Sequence, residues 1–266
     1  MPFFNSNNTE LYYEVHGKGQ PLLLIAGLAS DSQSWQYILK QLSKKYQLII
    51  YDNRGTGRAI EKHKSFTIEE MTADAKALLD HLQIKKAHVL GHSMGGCIAQ
   101  TLAVKAPEYI DKLILTSTTT FMSNRNKSLF EYLIATWIER VPQEQWVKNL
   151  FFWLFSRNAF KNLKFIDAAV IFTLCYPYPQ TLESFKAQVD ALIHFDSTDF
   201  IKDIKAETLI LSGENDILVY PEESKKLLEI PGNTTFKIIE KAAHSIHAEY
   251  PEEFAKVVSE FLDARC

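Results

Sequence analysis

Short apolar runs alternate along the chain with longer segments of helical spacing. Residues 11–15 have the composition of a strand, and Pro21 opens 22–25, a continuous apolar run of the kind buried on both faces of a sheet. Residues 34–42 have helical spacing, and 46–51 are the next strand. Over 68–82, Ile68, Met71, Ala75, Leu78, Leu79 and Leu82 fall on one face, which predicts an amphipathic helix. A strand at 87–90, a helix at 94–106 and a strand at 113–116 follow. The alternation returns near the C-terminus with a strand at 208–211, a helix at 221–229, a strand at 235–239 and a helix at 251–262. Pro251 suits the first position of that last helix.

Strands that alternate with helices predict an α/β fold, a mostly parallel central sheet flanked by helices on both faces. Ligands of such sheets bind beyond the carboxyl ends of the strands. The loops after Ile25, Tyr51, Leu90, Leu211 and Ile239 are therefore the candidate site. The alternation breaks between residues 121 and 200, a stretch rich in Phe and Trp that reads as amphipathic helices without a clear strand. An α/β core of residues 1–120 and 201–266, with 121–200 inserted as a helical cap, is the simplest organisation. Most of the cap aromatics are expected to pack against one another. Trp137, Trp153 and Phe172, with Leu28 and Leu218 from the core, are the expected lining of an apolar substrate pocket.

Composition narrows the function classes. Of 266 residues, 46% are hydrophobic and 23% charged, as in ordinary globular proteins. A net charge of −3 offers no basic footprint, so a nucleic-acid partner is not expected. The opening MPFFNSNNTE has neither the basic nor the apolar region of a signal peptide, and the closing FLDARC has no hydrophobic tail. A cytoplasmic protein without stable membrane insertion is the expectation; oligomeric state is not legible. Cys97, Cys175 and Cys266 are odd in number and widely spaced, with no disulfide or metal-ligand pattern.

The strand at 87–90 runs into Gly91-His92-Ser93-Met94-Gly95-Gly96 and then a helix. This is G-x-S-x-G in the strand–turn–helix setting that makes it a nucleophile elbow. A glycine-rich turn with an incidental serine would give the same pentapeptide. Two further loops argue against that. A serine hydroxyl needs a base, and the base needs an orienting acid. Gly213-Glu214-Asn215-Asp216 follows one late strand, offering Glu214 or Asp216. Lys241-Ala242-Ala243-His244 follows the next, offering His244 or, three residues on, His247. Asp196, Asp199 and Asp203 sit at the exit of the helical insert and are expected to be solvated.

With these motifs in place the chain resembles the α/β-hydrolase fold superfamily, in its capped serine esterase and lactonase branch. The resemblance spans residues 11–262. It rests on Gly27, on Asp52-Asn53-Arg54-Gly55-Thr56-Gly57, on the elbow, on Gly213-Glu214-Asn215-Asp216, and on His244 followed by Glu249-Tyr250-Pro251. It implies Ser93 as nucleophile, Asp216 rather than Glu214 as the acid, and His244 rather than His247 as the base. It also implies an oxyanion hole made by the backbone N–H groups of Leu28 and Met94. Two positions depart from the family pattern. Ala26 stands where a histidine often precedes the glycine, and Arg58-Ala59 follow Gly57 where a serine is usual. Arg54, His92 and Cys97 are expected to be structural.

The implied activity is hydrolysis of a carboxylic ester, lactone or thioester through an acyl-enzyme on Ser93. A small-molecule ester or lactone is the expected partner, and no metal or cofactor is called for. Enol-lactonases similar to those acting on 3-oxoadipate enol-lactone, and methyl esterases of carrier-bound acyl chains, share this pattern. So do cofactor-free haloperoxidases, carbon–carbon bond hydrolases and ligand receptors that keep the triad. An acidic substrate would want a cation in the pocket, for which the cap offers Arg125, Arg140 and Arg157.

Overall fold

The computed structural model describes residues 2–59 and 65–264. Among them eight strands form one sheet: β1 (Phe3–Ser6), β2 (Thr9–His16), β3 (Gln20–Ile25), β4 (Tyr46–Tyr51), β5 (Ala87–His92), β6 (Ile110–Thr116), β7 (Glu207–Gly213) and β8 (Thr234–Ile239). Their order across the sheet is β1-β2-β4-β3-β5-β6-β7-β8. Strands β3 to β8 run parallel, and β2 and β1 add antiparallel strands at one edge. The helices are α1 (Gln36–Leu42), α2 (Ile68–His81), α3 (Met94–Lys105), α4 (Asn124–Ile138), α5 (Gln143–Leu154), α6 (Leu163–Leu174), α7 (Leu182–Ile193), α8 (Pro221–Ser224), α9 (Ile246–Glu249) and α10 (Pro251–Asp263).

The period-2 geometry of a strand sorts β3 between two cores. Leu23 and Ile25 face α2 and α3, where Met71, Leu78, Ile98 and Leu102 complete the packing. Leu22 and Leu24 face α1 and α10, against Ile38, Leu42, Phe254 and Val258. Both faces are covered, so the run 22–25 has no polar position. Helix α2 starts on a capping box: Thr67 Oγ1 accepts from Glu70 N while Glu70 Oε2 accepts from Thr67 N.

Three elements differ from the pattern read in the sequence. Strand β1 was not anticipated; it forms a hairpin with β2 through Asn7 and Asn8, which take positive φ values of 44° and 66°. The segment 221–229 is one helical turn, α8, that tightens into a 3-10 helix over Lys225–Glu229. Strand β5 runs on to His92, so the strand ends only at the serine itself.

Between β6 and β7 the chain forms the four helices α4 to α7 and no strand. The ends of this segment meet: Phe121 bridges Asp196, and Ser197 N donates to Thr120 O at 2.9 Å. Much of its aromatic content is internal packing. Trp137 lies 4.7 Å from Trp146 and 5.7 Å from Phe185, ring centre to ring centre. Trp146 Nε1 donates to Leu133 O, so its polar edge is satisfied within the helices. Cys97 is buried and Cys175 exposed, both as free thiols; Cys266 lies outside the described residues.

Candidate active site

Ser93 stands between β5 and α3 with φ 52° and ψ −117°, a conformation that costs an L-residue on the order of 1–3 kcal/mol. The surroundings hold it there. Its N–H donates to Thr116 O at 3.0 Å, and its carbonyl accepts from Gly96 N and from Thr118 Oγ1, both at 2.8 Å. The flanking glycines are steric requirements. A Cβ on Gly91 would lie 2.3 Å from Gly95 O, and one on Gly95 would lie 2.0 Å from Ile25 O. The turn is tight because backbone meets backbone on both sides of the serine.

The acid and histidine loops are brought together in the same way. A Cβ on Gly213 would lie 2.3 Å from Ala243 O, and Asn215 N donates to Ala242 O at 2.8 Å. This contact delivers Asp216 to His244. Asp216 Oδ2 stands 2.9 Å from His244 Nδ1, and Asp216 Oδ1 accepts from the N–H groups of Leu218 and Val219 at 2.9 Å each. Both side chains are about 1% exposed. A carboxylate only accepts, so the proton of the neutral imidazole is assigned to Nδ1, and Nε2 keeps its lone pair. Glu214 is exposed and accepts from Lys241 N; it has no contact with the histidine.

His247 does not share the Asp216 contact. It is buried on α9 with its ring 4.8 Å from Trp35 and 4.8 Å from His92. Burial, with His244 as a neighbour, pushes its pKa down to about 3. His92 is likewise held well below the ordinary histidine range, first by burial and then by His247 and His244. It serves as a prop: its Nε2 contacts His244 O at 3.0 Å. Glu249, four residues into the stretch after Ala243-His244-Ser245, ties the base loop to the helical segment. Its carboxylate accepts from Ala243 N at 2.9 Å and from Ser156 N at 3.0 Å. Burial pushes that carboxyl up.

The backbone N–H groups of Leu28 and Met94 donate to no other described residue. Met94 opens α3, so its N–H is one of the helix's uncommitted donors. The loop carrying Leu28 is held from below and above. Asn53 Nδ2 donates to Ala26 O at 2.9 Å. From α7, Gln188 Oε1 accepts from Ala29 N at 3.0 Å while Gln188 Nε2 donates to Arg54 O at 2.8 Å. Sequence reading missed Gln188, because an amide on an amphipathic helix carries no local signature.

One cavity of about 350 Å³ joins these parts. Ser93, His244, Leu28, Met94, Trp137, Phe172 and Leu218 all line it. Trp153 does not; its ring lies 4.9 Å from the Arg125 guanidinium and packs against the cluster of Leu129, Leu133 and Phe185. Aromatic spacing on a helix does not distinguish the cavity face from a face covered by an arginine. Ser93 Oγ and His244 Nε2 share the cavity without a direct hydrogen bond, an arrangement common before substrate closes the site. Cys97 also touches the cavity, but burial pushes its thiol up to about 12, which keeps it an unreactive thiol.

Arg54 is 1% exposed and meets Asp74 with two nitrogens, with a third reaching Thr9 Oγ1. It fastens the loop after β4 to α2, well away from the serine. Arg58, in place of the serine usual to the family, forks onto Asp52 and stacks 3.8 Å over Tyr12. Asp196, Asp199 and Asp203 are exposed.

An eight-stranded, mostly parallel sheet with a strained serine at a strand–helix elbow defines an α/β hydrolase. The family model described as the alpha/beta hydrolase fold matches residues 20–251, and the chain belongs to that family. A protein of Azorhizobium caulinodans provisionally named as the carbamate hydrolase RutD is 27% identical over 262 residues, covering 98% of each chain. Among solved structures, a thermophilic esterase of Thermogutta terrifontis is 27% identical with a TM-score of 0.84, covering 96% of this chain and 93% of its own. The enol-lactonase of Burkholderia xenovorans LB400 is 24% identical with a TM-score of 0.88, covering 99% and 100%. These relatives support a hydrolase of the alpha/beta fold. No helix among the described residues is long and apolar enough to cross a membrane.

Proposed function

We propose that the chain hydrolyses a carboxylic ester, lactone or thioester through an acyl-enzyme on Ser93, under a helical cap of residues 121–200. The observation that carries this reading is the buried His244–Asp216 pair, 2.9 Å apart, opening on the same cavity as the strained serine. Ser93 Oγ attacks the acyl carbonyl as His244 Nε2 takes its proton. Asp216 holds the ring and stabilises the imidazolium. The oxyanion of the tetrahedral intermediate accepts from the N–H groups of Leu28 and Met94, each worth on the order of 3 kcal/mol. Collapse expels the alcohol or thiol, which takes the proton from His244. Water, deprotonated by the same histidine, then attacks the acyl-serine and releases the acid. No metal or redox group is needed for these steps, because side chains supply the base and the electrophilic donors.

A p-nitrophenyl ester series, from acetate upward, assayed with the wild type and with Ser93→Ala, tests the proposal. Activity that vanishes in the variant is the expected result. Equal activity in both proteins would remove Ser93 from the mechanism.

A further inference from the structure

The cavity described above is nearly free of charge. Among the described residues its lining includes no lysine and no arginine, and the one formally charged side chain there is a carboxylate, Asp31. The three arginines that could have served an acidic substrate all lie outside it. Arg125, Arg140 and Arg157 are exposed, and Arg125 is occupied by Ile217 O and the rings of Trp153 and Tyr220. Arg58, part-buried and next in sequence to the lining residue Gly57, is committed to Asp52.

Three of the lining amides are committed as well. Asn126 Nδ2 donates to Leu218 O, Gln33 Nε2 to Glu14, and Gln180 Nε2 to Gly55 O and Gln188. The remaining lining amides, Gln36 and Gln143, are exposed at the rim. Asp31 receives the Tyr176 hydroxyl and the N–H of Gln33, so it stays at the mouth as an acceptor. The interior wall beyond Ser93 is Trp137, Trp146, Leu150, Phe151 and Leu154. Besides the two backbone N–H groups beside Ser93, which the reacting carbonyl uses, Ser117 Oγ and His247 Nδ1 line the cavity without a hydrogen-bond partner; both are neutral groups, and the aromatic and aliphatic wall itself carries no charge.

We infer that this site, read as the acyl-transfer site proposed above, takes an uncharged medium-chain or aryl acyl group and excludes acyl groups that carry a carboxylate. A carboxylate led past Asp31 against that wall would lose its water and find no cation among the described residues to offset the loss. It would enter only in its protonated form. A terminal carboxyl with a pKa of about 4.3 is protonated in roughly one molecule in 500 at pH 7, and in about one in six at pH 5. The exclusion therefore has a size and a pH dependence. Enol-lactones and carrier-linked half-esters that bear a free acid fall on the excluded side.

Methyl octanoate and monomethyl suberate have the same acyl length and differ in the terminal carboxyl. Methanol release by the wild type should favour methyl octanoate in kcat/KM by roughly 500-fold at pH 7, narrowing by about 100-fold at pH 5. In parallel, calorimetric titration of Ser93→Ala with octanamide and with suberamic acid reads the cavity without any turnover. Octanamide should bind at pH 7 and suberamic acid should not. Equal rates for the two esters, equal binding of the two amides, or binding of neither amide would overturn the inference. If neither ester is cleaved while octanamide alone binds, the hydrolase reading fails and the exclusion of anions stands.

Discussion

Gln188 Oε1 accepts the backbone N–H of Ala29 at 3.0 Å, one peptide along from Leu28. Ala29 has a positive φ of 56°, so this bond fixes a peptide that an alanine would not adopt unaided. The side chain that fixes the peptide next to one half of the proposed oxyanion hole thus comes from α7, 159 residues away in sequence. It also occupies a role that Ala26, lacking a side-chain donor or acceptor, does not fill.

Replacing Gln188 by leucine removes its hydrogen bonds to Ala29 N–H and Arg54 O. The expected result is a fall in kcat of roughly 10- to 100-fold with little change in KM. Stability should drop by about 1–3 kcal/mol. Gln188→Glu keeps the acceptor for Ala29 and should recover part of kcat. Steady-state kinetics on the best ester of both variants checks this; a lowered Tm with kcat unchanged would show that Gln188 only supports the fold.

Asp216→Asn preserves the shape of the acid loop but offers a donor where the histidine also donates. The ring would turn or change tautomer, and kcat should fall by about four powers of ten. The variant's Tm and kcat measured together separate this from unfolding. The corresponding Glu214→Gln change, on an exposed side chain, should leave kcat within about twofold of wild type, as surface changes away from the site usually do.

Much of this was legible beforehand for a physical reason. The parallel strands announce themselves as apolar runs because both of their faces are covered. The elbow, Asp216 and His244 sit at strand ends, where a few adjacent residues determine the geometry. Strand β1 carried a signal that went unread: Asn7 and Asn8, between Phe3-Phe4 and Leu11-Tyr12-Tyr13, suit the left-handed turn of a two-residue hairpin. Gln188 and Trp153 carried none. Which neighbour an amide reaches across 159 residues, or which side of a helix faces a cavity, is decided by tertiary packing alone.

Gly95→Ala tests the elbow's steric argument. The new Cβ would lie 2.0 Å from Ile25 O, a backbone atom in the middle of the sheet. A loss of at least the roughly 1–3 kcal/mol of an overpacked core is expected, together with loss of activity. Normal Tm and normal kcat in the variant would show that the turn relaxes more readily than its contacts indicate.

His247 makes a pH prediction. Its folded pKa, about 3, lies below the ordinary value of 6.5, because the buried ring is surrounded by Trp35, His92 and His244. Below pH 6.5 the unfolded chain takes up a proton that the folded protein refuses. Stability is therefore complete above 6.5 and declines as the pH falls, by roughly 3 kcal/mol at pH 4.5 from this residue. His247→Phe keeps the ring against Trp35 and discards the unpartnered Nδ1. Calorimetric Tm values from pH 7.5 to 4.5 should fall less steeply in the variant; parallel curves would assign the acid sensitivity to other groups.

The bridge between Phe121 and Asp196 has a consequence for how such a protein changes over generations. The helices that roof the cavity leave the sheet and return to it at neighbouring points, so a crossover near residues 120 and 197 would exchange the roof as one piece. The proposed nucleophile Ser93, acid Asp216 and base His244 would all remain on the retained portion. Recombination there would alter which molecules are admitted while handing on the reaction intact, with Gln188 as the residue every incoming roof would have to supply.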